Sequence, residues 1–319
     1  MASMLEGLPD DVVGLCEVAK QQTVHHNLLS YRGVSPANWP AMARVWPPYF
    51  ADILAALRER PPHNLLDERP AEQRVIGACK LESHFLAGLL RAKGIPARVR
   101  AGYFQNIRAN QEHIVRFWEQ NLRAKRVNGD LLDRDPERWR QEVNAFSQRL
   151  NEIDHHIEHW VCEHWDAAAQ AWRVLDANTT FLKAHSDLDV GFHLPQQYFE
   201  SASAAWRSMR ASRDFNPDRY VEEPQDGRSH IRAQLLWDFY SLLNHDIAGL
   251  GAGMQASYAF VKERRYDDTS RDELRELDRL ADVLSGTPSI DDLMDLYCAS
   301  ETLQIPSAET DPYCFVHRG

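Results

Sequence analysis

The sequence predicts an α+β fold in which helices flank a short antiparallel sheet, and three observations predict it. Apolar residues recur at helical spacing between Cys79 and Ala92 and stop at Gly94-Ile95-Pro96. Residues 97–104, 159–165 and 171–176 are short runs containing Val, Trp, Tyr or Phe and bounded by small or polar residues, as strands are. Beyond residue 212 the apolar spacing is helical again.

Taken in order, two apolar-periodic stretches, at residues 12–29 and at Tyr49, Phe50, Ile53, Leu54 and Leu57, predict helices in an N-terminal helical region 1–60 that closes at Pro61-Pro62. Phe85, Leu86, Leu89 and Leu90 give the segment opened by Cys79 its apolar stripe, and Gly94 supplies the left-handed cap that ends it. The strand at 97–104 follows. Ile114, Phe117, Trp118 and Leu122, then Trp139, Val143, Phe146 and Leu150, predict two helices either side of an Asn128-Gly129 turn, a helical insertion over 105–157. Residues 159–165 and 171–176 predict a hairpin that completes a core over 61–211. Residues 212–229, dense in charge with two prolines, open a C-terminal helical region 212–319 with helices near 231–243, 274–284 and 290–297.

A chain of 319 residues with 44% hydrophobic composition buries a substantial core as one large domain or two modest ones. Lys and Arg total 36 against 47 Asp and Glu, and the net charge of −11 repels a phosphate backbone and an anionic membrane surface alike, so neither is expected as a partner. No stretch approaches the roughly 18 apolar residues of a membrane helix. Residues 1–10 lack the basic start and apolar core of a signal peptide, which predicts a cytoplasmic protein. Five cysteines, Cys16, Cys79, Cys162, Cys298 and Cys314, are odd in number, widely spaced and without a C-x-x-C pair, so reduced thiols are expected rather than a disulfide framework or a zinc ribbon.

Cys79 is the chemically interesting one. Unpaired N–H groups and the dipole at a helix start favour the thiolate, the nucleophilic form, while the alternative for the same residue is a small buried hydrophobe, and position alone does not choose between them. A nucleophile needs a base and the base an orienting acceptor, and the hairpin supplies both. If Trp165 pairs with Gln170 across a loop of residues 166–169, His159 falls opposite Asp176 on the same face. A register one residue different sends the two to opposite faces. His155, His156, His159, His164, Cys162 and Glu163 are metal-ligand types, but strand alternation puts His159 and Glu163 on one face and Cys162 and His164 on the other, so no metal is expected. His84 reads as structural, Glu82 as a solvated first-turn residue and Cys162 as packed core.

The run Gly77-Ala78-Cys79-Lys80-Leu81-Glu82, continued by Arg91-Ala92-Lys93-Gly94-Ile95-Pro96-Ala97-Arg98 and the strand to Tyr103, resembles the core motif of the transglutaminase-like superfamily, in which a cysteine begins a helix and a GIPAR segment leads into a strand. His159-Trp160-Val161-Cys162-Glu163 and Trp172-Arg173-Val174-Leu175-Asp176 resemble its histidine and aspartate strands. In two respects the chain departs from that pattern: Trp160 follows the histidine immediately, and a long insertion separates Tyr103 from His159. Leu194-Pro195-Gln196-Gln197-Tyr198-Phe199 and Ala205-Trp206 are similar to a bacterial branch of the superfamily.

The resemblance implies a papain-like fold with Cys79 as nucleophile, His159 as its proton partner and Asp176 orienting the imidazole. The expected activity is acyl transfer through a thioacyl-enzyme formed on an amide, ester or thioester of a small molecule or peptide, free or bound to a carrier protein. No cofactor is required. A thiol hydrolase with water as acceptor is the nearest alternative, and a binding module that kept the fold without the activity is the alternative of another class. The oxyanion hole is expected to use the Cys79 N–H and one further donor.

Overall fold

The computed structural model describes residues 2–25, 29, 34, 38, 42–45, 49–105, 156–177, 179, 191–220, 226–244, 261 and 264–304. The two helices expected inside the insertion, and Cys314, lie outside them. The fold is α+β, with an antiparallel sheet and helices before and after it. Among the described residues no helix is long and apolar enough to cross a membrane.

The chain divides into two compact units, one comprising residues 1–98, 106–155 and 161–196, the other 99–105, 156–160 and 197–319. The first begins with α1 (Ala2–Leu5) and α2 (Val12–Gln22), the latter capped by Asp11, whose side chain accepts from the Gly14 N–H at 2.8 Å. The helix expected over 12–29 stops at Gln22. Thr23 and Val24, β-branched, instead enter β1 (Thr23–His25), which lies parallel to β3 (Val75–Gly77), with β2 (Ala43–Arg44) on the other side of β3. Val24, Leu29, Val34, Met42 and Ile76 form the apolar cluster of this small parallel sheet.

Between them lies α3 (Phe50–Arg58), and α4 (Cys79–Ala92) leaves β3 after a single residue. The expected cap is present. Gly94 has φ +75°, Ile95 N–H donates to Leu90 O at 3.0 Å and Gly94 N–H to Arg91 O at 2.9 Å. Packing α4 on α2, α3, β1 and β3 buries it on almost every side. A Cβ at Gly88 would meet the Phe50 ring at 2.1 Å, so glycine is what admits the start of α3 there. Glu82, expected in solvent, is 4% exposed, and Lys80 and Ser83 are buried with it, because the first turn of α4 lies under its neighbours.

The antiparallel sheet has the order β6-β5-β4-β7, with β4 (Ala97–Phe104), β5 (Ile157–Asp166), β6 (Ala171–Leu175) and β7 (Phe199–Ser201). In the second unit β7 runs into α5 (Ala202–Ala211), capped by Ser201, and is followed by α6 (Gly227–Leu242), α7 (Arg271–Leu284) and α8 (Ile290–Ala299). Pairing Gly102 with Ser201 brings the backbones so close that a Cβ at Gly102 would meet Glu200 O at 2.3 Å. The helices expected near 231–243, 274–284 and 290–297 are α6, α7 and α8. α6 holds a buried ion pair: Asp238 accepts Arg100 Nε at 2.9 Å, Arg100 Nη2 at 2.8 Å and the Ala101 N–H at 2.8 Å.

Candidate functional site

Cys79 is the first residue of α4 and is half-buried. Its place follows from local sequence. A Cβ at Gly77 would meet Leu81 at 2.6 Å, so glycine lets β3 turn at once into the helix with Leu81 lying over the junction. Ala78 occupies the N-cap with extended backbone and no side-chain acceptor, so this helix start has no capping hydroxyl or carboxylate from its own cap residue. The thiol therefore stands at the C-terminal end of a parallel strand and the N-terminal end of a 14-residue helix, where the peptide dipoles favour an anion.

The remaining described cysteines are placed differently. Cys162, expected as packed core, is fully buried, and burial, then Cys16, pushes its thiol well up, against the opposing pull of Arg91. Cys16 is likewise buried, its thiol raised by burial and by the charge of Asp176. Cys298 is exposed on α8.

Asp176 follows the last residue of β6 and is 4% exposed. Its N–H donates to Phe192 O at 2.9 Å and Leu194 N–H to Val174 O at 3.0 Å, so residues 192–194 run along the edge of β6. His159 lies in β5 and is 5% exposed, its ring edge-on to Phe104 at 6.0 Å, while Phe104 stacks on Tyr198. Cys79 and Asp176 belong to the first unit and His159 to the second.

The hairpin does not adopt the register under which His159 would fall opposite Asp176. Trp165 pairs with Trp172 rather than Gln170, and Asp166 with Ala171. Continued by one pair, that ladder sets Val161, not His159, opposite Asp176. The slip is two residues, so side-chain parity along β5 is unchanged. Its cause is local. Asp166 stays in the strand because its Oδ1 accepts the Ala168 and Ala169 N–H groups at 3.0 Å, and Gln170 closes the turn at φ 49°.

Sequence reasoning passed over His25. It ends β1, 8% exposed, and is register-paired with Gly77, two residues before Cys79. The available signal was the β-branched pair Thr23-Val24 breaking the helical period.

No family model, curated protein or solved structure matches the chain.

Proposed function

We propose that the chain is a cysteine-dependent acyltransferase with a papain-like, transglutaminase-like centre in which Cys79 is the nucleophile, His159 its proton partner and Asp176 the group that orients the imidazole. The observation that carries the reading is the placement of Cys79, a half-buried thiol at an N-terminus whose cap residue offers no side-chain acceptor, beside three other described cysteines that are either deeply buried or exposed far from a helix start. The GIPAR-type exit from the helix, the capping glycine and the burial of both His159 and Asp176 support it.

The Cys79 thiolate attacks the carbonyl carbon of an amide, ester or thioester, and negative charge collects on the carbonyl oxygen. The Cys79 N–H at the helix start is one donor toward it. Collapse expels the amine, alcohol or thiol, which takes its proton from the His159 imidazolium, and leaves a thioacyl-enzyme. An amine acceptor then attacks while His159 takes its proton, the C–S bond breaks and the thiolate returns. With water as acceptor the same steps make a thiol hydrolase. The net charge of −11 favours a small-molecule or peptide substrate, free or carrier-bound, over nucleic acid or membrane. A cytoplasmic setting, where thiols stay reduced, suits the nucleophile.

The test is the rate of alkylation of each cysteine by a small electrophile from pH 5 to 9, read by peptide mass spectrometry in the parent protein, His159→Ala and His25→Ala. Cys79 is expected to react about tenfold or more faster than Cys298 near neutral pH, and to lose that lead in His159→Ala. Loss in His25→Ala alone reassigns the proton partner to the residue beside Gly77. Equal rates for Cys79 and Cys298 in all three proteins sink the catalytic reading in favour of a binding module.

A further inference from the structure

His230, on α6, is 1% exposed, and each of its ring nitrogens has an acceptor within hydrogen-bond reach. Its Nδ1 lies 2.9 Å from the carbonyl oxygen of Tyr220, which can only accept. Its Nε2 lies 3.1 Å from Glu158 Oε2, on β5. A neutral imidazole carries one N–H and satisfies one of these; an imidazolium satisfies both.

Gln234 lies beside the same nitrogen. As placed, its Nε2 lies 3.4 Å from His230 Nε2, while its Oε1 is buried with no hydrogen-bond partner. Amide oxygen and nitrogen are exchanged by a half-turn. Turned, Gln234 presents its oxygen to His230 Nε2–H as a second acceptor beside Glu158, and its amide nitrogen takes the oxygen's former place. The hydroxyl of Tyr103, on β4, is 3.4 Å from Nδ1 and can accept as well. Beyond this ring stand Arg232, which donates to Val261 O, and the pair His156 and Glu200, 3.0 Å apart, with Tyr220 OH donating to the same Glu200 oxygen at 2.7 Å. Asp238, further along α6, is committed to Arg100.

These contacts fall on one side of β5. His156, Glu158 and Trp160 alternate with Ile157 and His159 along the strand. His156 N–H donates to Arg219 O at 2.8 Å, its ring to Glu200, and Glu158 takes both His230 and, at 3.1 Å on its other oxygen, the Trp160 indole N–H. Every second residue around His159 is thus tied by a polar contact within the unit, while the His159 ring rests against Phe104.

We propose that His230 is a buried imidazolium whose ion pair with Glu158 is a positioning device, fixing the stretch of β5 that presents His159. The proposal deepens the thiol reading above and rests on it.

Its test uses the full chain with nitrogen-15 in the histidine rings, His230 assigned through His230→Gln, and long-range proton–nitrogen spectra at pH 7.5. Both His230 nitrogens are expected in the protonated range at a pH where an ordinary histidine is mostly neutral, and Glu158→Gln is expected to return the ring to one neutral tautomer. In the same variant the pH profile of Cys79 alkylation is expected to move about one unit upward, a tenfold loss at neutral pH, with Glu158→Asp restoring it. A neutral single-tautomer His230 in the parent protein overturns the proposal, and needs no variant to fold. A neutral His230 in Glu158→Gln with an unmoved Cys79 profile overturns the positioning role alone. Cys79 no faster than Cys298 in the parent protein overturns the thiol reading and the positioning role together, whatever the spectra show.

Discussion

His164 near the end of the hairpin and His230 in α6 are buried to similar extents, 6% and 1%, yet their surroundings ask opposite things of the ring. His164 has another histidine, His193, as its ring neighbour at 5.7 Å, and its Nε2 is buried without a hydrogen-bond partner among the described residues. Burial, then the charge of His193, lowers its pKa below 6.5, with Asp166 pulling the other way. His230 has a carboxylate on one nitrogen and a carbonyl on the other. The lesson is that burial alone fixes no charge state; the acceptors around the ring do, because a desolvated charge is tolerable where each N–H it carries finds one.

That contrast can be broken where it is strongest, in the polar interior of the second unit. Asp238→Ala removes the carboxylate paired with a 5% exposed Arg100 and should cost about 3–5 kcal/mol in urea unfolding, since it takes the counter-charge from a buried guanidinium. A loss under about 1 kcal/mol would mean that water or other acceptors, Leu284 O among them, take over the role of the carboxylate. Gly102→Ala puts a Cβ against the Glu200 backbone and should cost about 1–3 kcal/mol by forcing β4 from β7. Unchanged stability there would show that the two strands separate freely.

An exposed helix end provides the control. Ser270 caps α7 in a reciprocal box with Glu273, and Ser270→Ala should cost about 1 kcal/mol with no change in Cys79 reactivity. The smallest effect at neutral pH belongs to His164→Gln, and its signature lies in acid. A histidine held below 6.5 contributes fully above that value, and stability is lost as the pH falls through the folded pKa, because the unfolded chain takes up a proton before the native one does. His164→Gln should therefore flatten the decline of melting temperature below about pH 6.5 relative to the parent protein. Parallel curves would show that this ring does not drive the acid limb.

Much of the first unit's helix geometry was legible in the residues. Gly94 with Ile95-Pro96 marked the end of α4 and Cys79 its start, because a cap is a local matter of backbone conformation. The hairpin was legible as a pair of strands but not in its register, since that depended on which N–H groups the Asp166 carboxylate takes up. The three-residue strands β1 and β3 and the place of His25 were hidden, being too short for a period and stabilised by a partner some fifty residues away.

By itself, then, the sequence determined the α+β class, the C-terminal helices and the candidate residues Cys79, His159 and Asp176 as chemical types in strand and helix settings. Only tertiary structure decided that Glu82 is buried, that Val161 rather than His159 continues the ladder opposite Asp176, and that His230 meets Glu158. The physical reason is range. Caps and periods act over a few residues of chain, whereas the charge a buried group can hold is set by acceptors that arrive from distant strands.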